Sequence, residues 1–154
     1  PALPAAKESV FWLNVLEIPP KSQEADVNSL QMAFRSRVKI FYRPEGLAGN
    51  PVDAMEQLQW RAVPASNGKG FALEAYNPSA FHVSLASLSL MVGAVRSESD
   101  GGMVAPGETK QFALPTVHAL PGTGAQVEFS AINDYGVPMP VRRTLSAPAG
   151  RPAP

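Results

Sequence analysis

From Leu30 to Arg43 the chain alternates without a break. Every second residue reads Leu30, Met32, Phe34, Ser36, Val38, Ile40 and Tyr42, and the residues between read Gln31, Ala33, Arg35, Arg37, Lys39, Phe41 and Arg43. A period of two throws successive side chains to opposite sides, so this stretch is a strand with one apolar and one cationic face. At 14 residues it is more than twice the common strand length of about 5–6. A long strand with an apolar face associates at its edges unless it is paired, covered or used to bind another strand. Any fold for this chain has to answer that liability.

The surroundings point to an all-β protein. Sixteen prolines and 12 glycines fall in short punctuating clusters, with few long helical patterns between them. Val10–Ile18 reads as a buried strand ended by Pro19-Pro20, and a polar connection over 21–27 leads into the long strand, so the two form a hairpin. Pro44-Glu45-Gly46 and the run Leu47-Ala48-Gly49-Asn50-Pro51 break the pattern and read as a linker. Evenly spaced strands follow near Gln57–Val63, Gly70–Tyr76, Phe81–Met91, Thr109–Leu114, Gln126–Ile132 and Val141–Leu145. Turn chemistry separates them at 66–70, 77–79, 99–102, 106–108 and 121–124. Short strands at this spacing mark an antiparallel β-sandwich, and the Pro-rich tail over 147–154 is expected to be disordered.

Composition excludes several functions. Thirteen basic residues balance 13 acidic ones, so non-specific nucleic-acid binding and a membrane-surface role have little support. The apolar runs are too short for a transmembrane helix. With no cysteine there is neither a disulfide framework nor thiol catalysis. His82 and His118 have no second histidine or cysteine at ligand spacing, so no metal site is expected. Asp53 and Glu56, or Glu98 and Asp100, read as loop carboxylates, and Trp12 and Trp60 as core aromatics. Asn67-Gly68 and Gly101-Gly102 lack the strand-to-helix setting of a phosphate loop and read as turns. Neither an enzyme nor a cofactor is indicated. A secreted protein's leader would lie outside the sequence given, which starts at Pro1.

Three separated motifs carry a resemblance that covers Glu8 to about Leu145. They are E-S-x-F-W-L-N-x-x-x-I-P-P from Glu8 to Pro20, V-K-I-F-Y-R-P from Val38 to Pro44, and I-N-D-Y-G from Ile132 to Gly136. Together and in this order they resemble the periplasmic pilus-assembly chaperones of the chaperone/usher pathway. The resemblance implies two immunoglobulin-like domains set in an L. Residues 1–44 would supply the last two strands of an incomplete first domain, 45–146 the second domain, and 147–154 a tail. The short loop before Asn28 resembles the subclass that serves rod-like pili.

By the same resemblance, Leu30, Met32 and Phe34 would enter the groove of an incomplete pilus subunit by strand addition, backbone bonds giving affinity and alternate side chains giving fit. Lys39 would anchor the subunit's C-terminal carboxylate, with an arginine expected on an upstream strand that this sequence does not supply; Arg35 and Arg37 do not match it. Glu8, Arg43 and Asp134 would form an interdomain salt bridge, since one forked guanidinium can serve two carboxylates. The partners implied are pilus subunits and an outer-membrane usher, with no nucleic acid, and the compartment is the periplasm. The alternative class is a generic extracellular immunoglobulin-like structural or adhesion module. Two strands alone cannot bury their own apolar surface, so the hairpin over 10–42 is expected to be covered, most simply by self-association with a second copy.

Overall fold

A computed structural model describes residues 2–20, 32–66, 68, 70–122 and 124–145. Leu30, the connection over 21–27 and the tail over 147–154 therefore lie outside the described residues. The described residues are all-β apart from one short helix. In chain order the elements are β1 (Ser9–Leu16), β2 (Arg35–Tyr42), α1 (Pro51–Gln57), β3 (Gln59–Pro64), β4 (Phe71–Tyr76), β5 (Val83–Val92), β6 (Val95–Ser99), β7 (Gly102–Val104), β8 (Thr109–Leu114), β9 (Gln126–Ile132) and β10 (Pro138–Thr144).

The eight strands after α1 form the immunoglobulin-like sandwich. One antiparallel sheet has the order β3-β4-β8; the other runs β10-β9-β5-β6, with β7 continuing the same edge of β5. Their facing sides bury Trp60, Leu73, Phe112 and Leu114 from the first sheet and Val83, Leu85, Leu88, Leu90, Val127, Phe129 and Ala131 from the second. Trp60 lies at its centre, with ring centroids 5.2 Å from Phe129 and 6.1 Å from Phe112. Along β5 the inward positions change from odd (Val83, Leu85) to even (Leu88, Leu90), because a bulge between Leu85 and Ser87 inserts one residue. The outer edge bends at the same point. Gly101 interrupts β6 and β7 where a Cβ would overlap the Leu85 carbonyl oxygen. Gly101-Gly102 is thus a break within an edge strand, with Gly102 already in β7, rather than the simple turn expected from its sequence.

Two other regions hold more structure than the sequence reading gave them. The linker over 44–51 ends in a helix start: Pro51 takes the first helical position and the Asn50 side chain caps it, accepting from the Asp53 N–H at 2.8 Å. Ala54 and Met55 on this helix enter the core. A seven-residue helix is too short to show a full apolar period, which is why alternation alone missed it. Asn77 was a turn residue in the sequence; it is fully buried and ties three segments together. Its amide N–H groups donate to the carbonyls of Phe81 and Val104 at 2.7 and 3.1 Å, while its side-chain oxygen accepts from Ser79.

Ahead of the sandwich, β1 and β2 form a separate two-stranded antiparallel sheet. Its register pairs Phe11 with Ile40, Leu13 with Val38 and Val15 with Ser36 on one face, and Val10 with Phe41, Trp12 with Lys39 and Asn14 with Arg37 on the other. The ladder stops at Arg35, shorter than the 14-residue alternation. Beyond it the Glu17 N–H donates to the Phe34 carbonyl at 2.9 Å, carrying the pairing on.

Candidate functional site

The cationic face of β2 lies along the sandwich. Lys39, Phe41 and Arg43 share that face because they are two residues apart. They meet the sandwich in order at the start of β5 and the loop before it. The Lys39 ammonium donates to Ser84 Oγ at 3.2 Å, the Phe41 ring lies 5.6 Å from the His82 ring, and the Arg43 guanidinium sits 5.2 Å from the Phe81 ring centre.

At the Arg43 end the structure brings Glu8, Arg43 and Asp134 together. Carrying the β1–β2 register one rung beyond Ser9 and Tyr42 places Glu8 opposite Arg43. Nε and Nη2 of Arg43 donate to Glu8 Oε1 at 3.1 and 2.8 Å. Nη1 and Nη2 donate to Asp134 Oδ2 and Oδ1 at 2.8 and 3.0 Å. Asp134 is delivered by the tight β9–β10 turn. There the Asn133 side chain accepts from the N–H groups of Tyr135 and Val137 at 3.0 and 2.9 Å, and Gly136 takes φ 77°. The Asp134 carboxyl is held below its ordinary range, first by its hydrogen bonds from Arg43. The guanidinium is pushed further up in turn, chiefly by Asp134.

Glu8 is the buried member, 3% exposed. Its second oxygen accepts from the His82 N–H at 2.7 Å and lies 2.9 Å from His82 Nδ1, while its own N–H donates to the Ala80 carbonyl at 2.9 Å. His82 is therefore a fourth member of the cluster. The sequence showed it only as a residue of an alternating strand, and no local pattern relates it to a glutamate 74 positions away.

At the other end, Lys39 is half-buried and its ammonium lies 5.5 Å from the Trp12 ring, while Arg37 stacks on the same ring at 4.0 Å. Trp12 is thus a partly exposed platform for cations, not the core aromatic its place in an apolar run suggested. Burial first, and the charge of Lys110 second, draw the Lys39 ammonium below its ordinary pKa. Met32 and Phe34 are described and exposed, but they precede the ladder. Leu30 lies outside the described residues, so the three are not brought together. Among the described residues β2 pairs with β1 alone, leaving its second edge open, and no group of acidic, histidine or cysteine side chains could hold a metal.

Fold and site define an immunoglobulin-like sandwich with a strand hairpin fastened to it through one shared arginine. The family comparison gives this arrangement its place. Residues 53–142 match the model of the C-terminal domain of the pili assembly chaperone PapD, and residues 1–48 the model of the PapD N-terminal domain of pili and flagellar-assembly chaperones. The chain belongs to the PapD pili-assembly chaperone family. It is 43% identical over 140 residues to the "Probable fimbrial chaperone YadV" of Escherichia coli, covering 88% of this chain and 55% of that protein. It is 38% identical over 146 residues to the chaperone protein FimB/FhaD of Bordetella pertussis, covering 94% of this chain and 55% of the relative. The chain thus spans about half the length of these relatives, which are named as chaperones rather than enzymes. The crystal structure of the YadV chaperone superposes with TM-score 0.78 at 38% identity, over 93% of this chain and 65% of that one. The Salmonella enterica SafB chaperone, solved in complex with the SafA pilin, superposes with TM-score 0.71 at 26% identity, over 94% of this chain and 62% of that one.

Proposed function

We propose that this chain is part of a periplasmic chaperone that binds, folds and caps pilus subunits by donating a strand, then passes them to an outer-membrane usher. The edge of β2 left open among the described residues, with Phe34 and Met32 exposed just before it and Lys39 half-buried against the sandwich beside it, is the observation that carries this reading. An edge of this kind recruits an extended partner through main-chain hydrogen bonds and fits it through alternate side chains. Leu30, Met32 and Phe34 are the donated side chains and Lys39 the anchor for a carboxylate. Mechanism is stoichiometric: the chaperone hides an aggregation-prone edge of the subunit and needs no nucleotide. Residues 1–44 are the closing strands of the first domain and 45–146 the second domain, with Glu8, Arg43 and Asp134 fixing the angle between them. The apolar hairpin face, Phe11, Leu13, Val15, Val38 and Ile40, is then covered by the first domain's other strands, a cover that competes with pairing to a second copy. Two observations support this: residues 1–48 match an N-terminal domain model, and the relatives are nearly twice as long as their matched part.

The test is capture of the cognate pilus subunit by the full-length protein, co-expressed in the periplasm and read as a one-to-one complex on size exclusion. Phe34→Asp with Met32→Asp removes two buried apolar contacts worth roughly 1.5–3 kcal/mol each, so capture falls more than a hundredfold while the sandwich melts at an unchanged temperature. Undiminished capture by that variant refutes strand donation.

A further inference from the structure

The sandwich presents a sheet edge of its own. Among the described residues β10 pairs with β9 and with no other strand. Which main-chain groups face its free side follows from the register. In an antiparallel pair, opposed residues alternately exchange both hydrogen bonds or turn their N–H and C=O groups away from each other. One rung beyond the ladder at either end, the Asn133 N–H donates to the Val137 carbonyl at 3.1 Å and the Leu145 N–H to the Ala125 carbonyl at 2.8 Å. Odd-numbered residues of β10 therefore bond to β9, and Pro138, Pro140, Arg142 and Thr144 face outward. The two prolines have no N–H to offer a further strand. The outward carbonyl of Arg142 is already taken, accepting from Arg143 Nη1 at 3.0 Å. Nη2 of the same guanidinium donates to the Glu56 carbonyl at 3.3 Å and lies 3.4 Å from the Glu56 carboxylate, which ties this end of β10 to α1. On β2 the parity is reversed, as the bond from the Glu17 N–H to the Phe34 carbonyl shows. There Arg35, Arg37, Lys39 and Phe41 face outward, and every one of them has an N–H.

We propose that Pro138, Pro140 and Arg143 close the β10 edge to strand addition, and that the partner they exclude is a second copy of this chain. A strand edge is self-complementary about a two-fold axis, so antiparallel pairing of β10 with β10 needs no other partner. Val137 and Met139 beside the edge are exposed large apolar side chains. With a full row of donors, this edge would offer a copy both main-chain bonds and apolar contact. Proline at 138 and 140 costs β10 nothing in its own sheet, because neither position donates to β9. Arg143 covers the half of the strand that the prolines leave with its N–H groups. This closure uses no atom of the β2 edge and holds whether or not β2 donates a strand. The protein thus carries one sheet edge with every outward donor in place and another with half of them removed.

The experiment restores the edge in the full-length protein. Pro138→Thr with Pro140→Thr returns two outward donors on a residue type that suits strands, and Arg143→Ala frees the Arg142 carbonyl. The parent carries Phe34→Asp and Met32→Asp, so that association through β2 is the same in every sample. Sedimentation equilibrium should show the triple variant dimerising about tenfold more tightly than the parent, or more. Amide exchange at Arg142 and Thr144 should slow in the dimer. A folded triple variant that associates no more than its parent overturns the proposal, as does a dimer whose new protection lies outside β10. Pro140→Thr alone is the milder change and decides the case if the triple variant unfolds: it should strengthen association by a smaller factor, and no change overturns the proposal. The wild type supplies a check without substitution. Its N–H groups at Met139, Val141 and Arg143 should exchange slowly and those at Arg142 and Thr144 fast. An Arg142 N–H protected in the monomer would mean that the edge is already paired, and overturns the proposal.

Discussion

Replacing Arg43 with alanine removes the four hydrogen bonds it donates to Glu8 and Asp134, but the two arms are unequal. The Glu8 side chain is only 2% exposed, whereas Asp134 is 51% exposed and Arg43 34%. Removing one partner of a buried ion pair costs roughly 3–5 kcal/mol. Arg43 keeps a third of its surface in water, and the second oxygen of Glu8 keeps its contacts with His82, so the Glu8 arm contributes about 2–3 kcal/mol. The Asp134 arm is an exposed pair worth about 0.5–1 kcal/mol. Arg43→Ala should therefore lower the stability of the full-length protein by about 3 kcal/mol, and Asp134→Ala by less than about 1. Urea midpoints at unchanged slope give both numbers, and residual dipolar couplings report whether the hairpin and sandwich still share one orientation. Arg43→Lys keeps the charge but not the fork, so it should hold one carboxylate and fall between the two. Acid offers an independent check. The Asp134 carboxyl sits below its ordinary value of 3.8, so its contribution is fully present above that value and is lost as pH falls through the lowered folded pKa. Asp134→Ala should abolish that part of the acid sensitivity. Equal losses from Asp134→Ala and Arg43→Ala would show that the buried arm carries no special weight and refute the reasoning.

Two predictions concern the scaffold. Asn77→Ala removes its two amide donations, leaving the buried Val104 carbonyl without a side-chain donor and the Phe81 carbonyl with the Ser79 hydroxyl alone, and should cost about 2 kcal/mol, read from the urea midpoint, with the joint unchanged. Gly101→Ala drives a Cβ into the Leu85 carbonyl at the β5 bulge and should cost about 1–3 kcal/mol, with amide exchange accelerating first in β6 and β7.

How far the sequence revealed this protein depends on how local each signal is. Alternation located six of the eight described sandwich strands to within a few residues and missed β6 and β7. It failed at β5, where the bulge switches inward parity between Leu85 and Leu88, and at the broken edge strand, where Gly101 and Gly102 mimic a turn. The family resemblance singled out Glu8, Arg43 and Asp134, which the structure brings within hydrogen-bond distance. It could not supply His82. The place of His82 in the cluster comes from Glu8, which faces it across the seam, and nothing adjacent in the chain encodes that. Trp12 misled for the same reason: its apolar neighbours suggested a core position, while its opposite number on β2 is a lysine.

The same period of two that makes β2 a liability also makes it a joint. Side chains of one parity, Val38, Ile40 and Tyr42, form an exposed apolar face. The other parity delivers Lys39, Phe41 and Arg43 to the sandwich. A slip of one residue in the β1–β2 pairing would exchange the two faces, turning aliphatic side chains toward Ser84 and His82. Register is therefore fixed on the sandwich side, by the contacts of Lys39 and Phe41 and by the Arg43 fork. Neither constraint uses the open edge of β2, whose main-chain groups point sideways, in the plane of the sheet. Among the described residues β2 pairs with β1 alone, so fastening the hairpin to the sandwich and presenting that edge use different atoms of one strand.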